Sequence, residues 1–351
     1  MTIVPEIVAS LTNVNYKQYL CQKLENYSWN DLQKAIESDT SFTLEKENKT
    51  KLAISWWVTP KRTRSYPFAR VYDTLGFSGK RVTIIPVIKD EGFDGDRDFI
   101  QYDTFSLMSL LGIHVIISYY EDAEKNTDYR NKITNQRFDL SHVRENLTEV
   151  CSSNNNPSVW NAIQLKKIHE IGKAALDRYD RISKNTDTLL HSKKSAIKKL
   201  QKMSEQFMSH SRELAQNAQT RESLTIQPKE NLEGQKAKLT IKDHQGGKYY
   251  WTCDEVTICD GEIYLIEGKH SSKSLPAEDD IKDGLLKLML YSNLEQIQHD
   301  GKNFKKIPVL KLTSVNKNLN THNLDIIKKL KAEAKNNNLK IKLNDKFLDL
   351  N

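Results

Sequence analysis

The chain has 351 residues, with 53 Lys and Arg against 46 Asp and Glu, for a formal net charge of +7. That length buries a core without disulfide or metal staples, and the basic excess favours a polyanionic partner. The four cysteines, Cys21, Cys151, Cys253 and Cys259, form no CxxC pair and have no His at ligand spacing, which argues against zinc; with no charged-then-apolar leader and no bilayer-length apolar run, a reduced, cytoplasmic protein without a membrane partner is expected.

Charge is spread unevenly. Residues 301–351 hold twelve Lys against four acids, and residues 160–212 hold twelve Lys and Arg against five acids. In chain order, residues 1–150 read as a mixed α/β region. Trp56-Trp57-Val58 leads into Lys61-Arg62-Thr63-Arg64, interleaved with Tyr66 and Phe68 and followed by Arg70. Lys61, Arg62, Arg64 and Arg70 are the best DNA-contact candidates by composition, since Arg can read guanine edges and aromatic rings can stack; an exposed basic loop is the competing account. A strand is predicted at Val82–Ile88, a helix at Thr104–Leu111 and a strand at His114–Ser118. Between them, Asp90, Glu91, Asp94, Asp96, Asp98 and Asp103 form an acidic stretch. Asp94-Gly95-Asp96-Arg97-Asp98 has calcium-loop spacing but lacks the glutamate at the twelfth position, so an acidic turn offset by Lys89 and Arg97 is the simpler expectation.

The polar run Ser152-Ser153-Asn154-Asn155-Asn156-Pro157 is a candidate boundary. Residues 158–216 read as helical, with Ile168, Ile171, Ala175, Tyr179 and Ile182 at helical spacing, and 217–247 read as polar and turn-rich. A domain division at 1–150, 151–222 and 223–351 follows. Beyond it the pattern sharpens: strand Lys248–Cys259, turn Asp260-Gly261, strand Glu262–Lys269, helix Glu278–Gln296, strand Ile307–Leu312, helix Leu324–Ala334 and strand Leu339–Leu343. Asp-Gly between two β-rich runs is a strong hairpin signal. The fold class is α/β, a mixed β-sheet flanked by helices.

Three E-x-K triples occur, Glu47/Lys49, Glu267/Lys269 and Glu333/Lys335. The first lies in a polar run, and the last lies on a predicted helix where i and i+2 do not share a face. Only Glu267/Lys269 ends an apolar strand. Period-two geometry puts both on one sheet face, and a turn at Asp260-Gly261 brings Asp254 close on the adjacent strand. Two carboxylates can hold Mg²⁺ through oxygen ligands, and a neighbouring lysine can orient water or stabilise charge on a phosphorane. The alternative is an exposed cross-strand salt-bridge ladder of little energetic weight.

Asp254 and Glu267-Gly268-Lys269, on a hairpin followed by helix, strand and helix, resemble the core of the PD-(D/E)XK nuclease superfamily. The run Asp279 to Tyr291 resembles the helix after the active site in some type II restriction endonucleases. The resemblance covers about 248–343; residues before it match only loosely. It implies that Asp254 and Glu267 bind Mg²⁺, that Lys269 assists the attacking water, and that the partner is double-stranded DNA cut by a homodimer. Cys253 stands where the family has proline before the first acid. Glu213 and Glu222 are both candidates for the family's glutamate on the preceding helix, and His270 and Ser271 for phosphate contacts. A sequence-specific restriction endonuclease, a structure-selective repair or junction nuclease, and a catalytically inert DNA-binding or assembly protein are the three functions that fit.

Overall fold

The computed structural model describes residues 4–350 apart from 48, 58–67, 225–234, 317–319 and 345; for 68, 198–208, 210, 211 and 214 it describes the backbone alone. The chain folds into two compact units. The first comprises Met1–Lys23, Pro67–Gly76 and Ala215–Asn351, and the second Leu24–Tyr66 and Phe77–Leu214.

The chain starts in the first unit with β1 (Glu6–Leu11). It supplies the second with β2 (Asn26–Ser28), α1 (Leu32–Ser38), β3 (Ser41–Glu45) and β4 (Lys51–Trp56), and the first again with α2 (Phe68–Leu75). The second unit continues with β5 (Lys80–Pro86), β6 (Ile88–Asp90), β7 (Arg97–Phe99), α3 (Tyr102–Leu110), β8 (Ile113–Ser118), β9 (Tyr120–Lys125), β10 (Ile133–Phe138), α4 (Leu140–Ser152) and α5 (Pro157–Thr186). Helix α6 (Lys193–Ser223) carries the chain back, its residues from Ala215 onward belonging to the first unit. There follow β11 (Gln235–Asp243), β12 (Lys248–Cys259), β13 (Glu262–Ser271), α7 (Glu278–Asn293), β14 (Glu295–His299), β15 (Lys302–Asn303), β16 (Lys305–Ser314), α8 (Thr321–Asn337), β17 (Lys340–Leu343) and β18 (Lys346–Phe347). The architecture is mixed α/β, and no helix among the described residues is long and apolar enough to cross a membrane.

These units do not coincide with the three regions read from the sequence. The polar run at Ser152–Pro157 joins α4 to α5 inside the second unit, and Asn156 caps α5 by accepting from the Val159 N–H. Two strands were hidden because their polar faces disguise them. In β1, Ile7, Ala9 and Leu11 are buried in alternation, and in β11 so are Ala237, Leu239 and Ile241. The predicted helix at 278–296 stops at Asn293. Leu294 is extended, and β14 pairs antiparallel with β1, Ser10 opposite Glu295 and Ile7 opposite His299.

The second unit is built on a five-stranded sheet ordered β2-β3-β4-β5-β8, with β4, β5 and β8 parallel. Strand β8 is buried throughout, and α5 covers its edge. Asn161 accepts from the Val115 N–H and donates to the Ile113 carbonyl, while the Trp160 indole donates to the Val115 carbonyl. The acidic stretch is absorbed locally. Glu91 pairs with Lys89 and Lys132, Asp90 with His191, and Asp103 with Arg212; Arg97, expected to offset the stretch, instead donates to the Ser192 carbonyl and Ser195.

The first unit is built on a nine-stranded sheet ordered β15-β14-β1-β11-β12-β13-β16-β17-β18. Strands β11, β12 and β13 run antiparallel in succession, joined at the last turn by Asp260 and Gly261, both at positive φ (48° and 76°). Strands β13, β16 and β17 are parallel, with α7 and α8 as the intervening crossovers. Ile281, Leu285, Leu288 and Tyr291 of α7 are fully buried, as their spacing predicts. A second seam is ionic: buried Lys282 pairs with Asp73 of α2 (2.9 Å) and Glu278 (3.0 Å).

Candidate active site

The β12–β13 hairpin pairs Glu255 with Ile266, so its next step places Asp254 beside Glu267. Strand β12 carries one extra residue here, advancing from Cys253 to Val256 while β11 moves only from Ala237 to Gln235. A bulge of this kind re-aims side chains out of strict alternation and occurs often beside functional sites. Asp254 and Glu255 still serve opposite faces, as neighbours in an extended strand do. Glu255 stands opposite Ile266, and its carboxylate meets the Lys311 ammonium at 3.1 Å, both groups buried. Asp254 meets β13 itself, with Oδ2 accepting from the Gly268 N–H at 3.0 Å.

Glu267 and Lys269 share the face covered by α7. Their register partners on β16 are Leu310 and Leu312, and Lys269 Nζ lies 3.1 Å from Glu267 Oε1. Glu267 has no exposed surface, so an exposed salt-bridge ladder does not describe it. Sequence reasoning missed the group that dominates this carboxylate. Lys287 of α7 donates to both of its oxygens, at 2.8 and 2.9 Å. Asp283, one turn earlier on α7, accepts from the Ala69 N–H at 2.6 Å.

Close approach of α7 depends on Gly284. A Cβ there would stand 2.9 Å from Leu310 Cδ1, 3.3 Å from Lys269 Cε and 3.6 Å from Glu267 Cγ. Gly284→Ala is expected to cost about 1 kcal/mol net, overpacking outweighing the helix-propensity gain. Urea unfolding of Gly284→Ala, Leu310→Val and the double variant checks this. Removing Cδ1 should recover much of the Gly284→Ala loss, and strict additivity would rule the contact out.

Charge in the site is unequally held. Burial, reinforced by the neighbouring Glu267 carboxylate, pushes the Asp254 carboxyl up to about 7, against the opposing pull of Lys287, the Gly268 N–H and Lys269. Burial would also raise Glu267, but Lys287 and Lys269 together outweigh it and hold the carboxyl below its ordinary value. Burial alone would lower Lys287; Glu267 and then Asp254 overcome it and hold the ammonium charged. Burial pushes Asp283 up to about 6, with Lys269 opposing. One acid is thus firmly ionised and its neighbour poised near neutrality, a division typical of groups set to bind a cation or exchange a proton.

The remaining candidates divide. His270 shares the sheet face of Gly268 and Lys311, opposite to Lys269, and its Nδ1 is 2.9 Å from the Thr313 hydroxyl, so it does not join the cluster. Ser271 keeps the face of Lys269, and its Oγ accepts from the Lys273 N–H. Arg70 is half-buried on α2, while Lys61, Arg62 and Arg64 lie outside the described residues. Glu213 is exposed and Glu222 half-buried on α6. Among the described residues no group of three or more His, Cys, Asp and Glu is arranged to hold a metal. Cys253, in the place of the expected proline, is buried with its Sγ on the Glu255 and Ile266 carbonyls. Comparison with protein-family models, with curated proteins and with solved structures finds no match to this chain.

Proposed function

We propose that the chain is a Mg²⁺-dependent endonuclease of the PD-(D/E)XK type that hydrolyses phosphodiesters of double-stranded DNA, most specifically a type II restriction endonuclease acting as a homodimer. The observation that carries the reading is the convergence of Asp254, Glu267 and Lys269 beneath α7, at an antiparallel hairpin followed by a parallel crossover strand. That order of strands and that pair of acids are what the resemblance leads one to expect.

The donor set fits a hard divalent cation. Asp254 and Glu267 are neighbouring oxygen donors, and burial, then the adjacent Glu267 charge, raises the proton affinity of Asp254, a penalty a bound cation would relieve. Bound Mg²⁺ would neutralise phosphate charge and make water a nucleophile near neutral pH. The Gly268 N–H fixes the Asp254 carboxylate, and the hairpin register sets Glu267 beside it, so the fold pre-positions the two acids. Lys269, about a fifth exposed, is the ammonium best placed to meet a water or phosphate oxygen. The net charge of +7, with exposed Lys328, Lys329 and Lys335 on α8, suits a polyanionic partner.

Incubation with phage DNA and Mg²⁺, beside an EDTA control, tests the reading. Discrete fragments are expected with Mg²⁺ and intact DNA with EDTA. A smear would replace the restriction reading with a less specific nuclease, and uncut DNA with every divalent ion tried would overturn the enzyme.

A further inference from the structure

We propose that Lys287 is a resident counter-ion of the carboxylate pair, and that a divalent cation binds Glu267 only by displacing its ammonium. The inference rests on the reading of Asp254 and Glu267 as metal-binding acids and deepens it.

The argument begins with placement. Lys269 belongs to the same strand as Glu267, but Lys287 reaches it from a different element, α7. Its Nζ bridges both carboxylate oxygens at 2.8 and 2.9 Å, the position a cation chelated by Glu267 would claim. Lys269 adds a contact at 3.1 Å. Two carboxylates and two ammoniums leave this cluster formally neutral. A divalent ion added without displacement would crowd against two ammoniums on one fully buried carboxylate, which a low-dielectric surrounding strongly disfavours.

Exchange resolves the conflict because the ammonium has a destination. Asp283 lies four residues before Lys287 on α7, a spacing at which helical side chains meet, and it lies within electrostatic reach of both Lys269 and Lys287. One of its oxygens accepts from the Ala69 N–H. The Lys287 side chain retains about 20% of its surface, and displacing its amine calls for side-chain rotation, not movement of the helix backbone. An arriving phosphate would offer a second anionic destination, which makes metal and polyanion mutually favourable ligands.

The test is calorimetric titration of the full chain with Ca²⁺, without DNA, for the wild type, Lys287→Met and Lys287→Arg. Removing the resident charge is expected to tighten Ca²⁺ binding by at least about tenfold in Lys287→Met, with Lys287→Arg close to wild type. Equal or weaker binding by a folded Lys287→Met chain overturns the role of Lys287 while leaving the metal site standing. No Ca²⁺ or Mn²⁺ binding by either chain overturns both. A measurement on the wild type alone guards against a variant that fails to fold: acetylation of Lys287, read by mass spectrometry, should speed up when Ca²⁺ is added. An unchanged or slower rate contradicts displacement.

Discussion

Asp254→Asn is expected to lose Mg²⁺-dependent cleavage by at least about a hundredfold and yet to be more stable than the wild type at pH 8 without metal. Asn keeps the shape and the acceptor for the Gly268 N–H but cannot offer a charged oxygen to a cation. The stability gain follows from linkage. The Asp254 carboxyl is pushed from an ordinary 3.8 to about 7 in the folded chain, chiefly by burial and then by Glu267. A folded-state value above the unfolded one favours the protonated form, so the native state is best supported below about pH 4 and loses that support as pH rises towards 7. The variant should therefore match the wild type near pH 4 and exceed it above pH 7, by on the order of 2 kcal/mol after allowance for partial exposure. Urea unfolding at the two pH values in EDTA checks the crossover. A variant that is less stable at pH 8 would show that Asp254 is held by partners stronger than its desolvation.

Glu333→Leu is expected to cost about 3–5 kcal/mol. The Glu333 carboxylate, on α8, has no exposed surface. It accepts from the Tyr16 hydroxyl (2.7 Å), the Tyr72 hydroxyl (2.6 and 2.7 Å) and the backbone N–H groups of Tyr19 (3.0 Å) and Leu20 (3.3 Å). One acid thus gathers the N-terminal segment and α2 onto α8. Leucine fills the volume but strands four donors, of which the Tyr72 hydroxyl and the Leu20 N–H are buried away from water. Glu333→Gln should cost less, since its amide oxygen still accepts. Denaturant midpoints for the two variants give the comparison, and a Leu variant within about 1 kcal/mol of wild type would mean that the donors find other partners.

Much of the catalytic candidate was legible because the hairpin announces itself. Asp260-Gly261 between apolar runs gives the turn, and period two then fixes the faces of Glu267 and Lys269. The decoy triples also separate on context. Glu47 and Lys49 are exposed, and Glu333 is buried on a helix whose Lys335 is exposed. Other features depended on contacts that no local pattern encodes. β1 and β11 pair in parallel across more than two hundred residues, so their short alternations had no visible partner. Lys282 and Lys287 look like ordinary helical lysines until tertiary structure delivers Asp73 to one and Glu267 to the other. His270 parts from Lys269 because adjacency in a strand is opposition in a sheet. Glu255, the next residue along, turns to the far face, where its carboxylate meets Lys311.

The most direct test of the central claim is a single-turnover cleavage assay on phage DNA with Mg²⁺, comparing wild type, Lys269→Met and Lys287→Arg under conditions where all three are folded. Fragments should accumulate with the wild type and with Lys287→Arg, while Lys269→Met should be slower by about a hundredfold or more. Cleavage by Lys269→Met at the wild-type rate would contradict the assignment of the reaction to this hairpin.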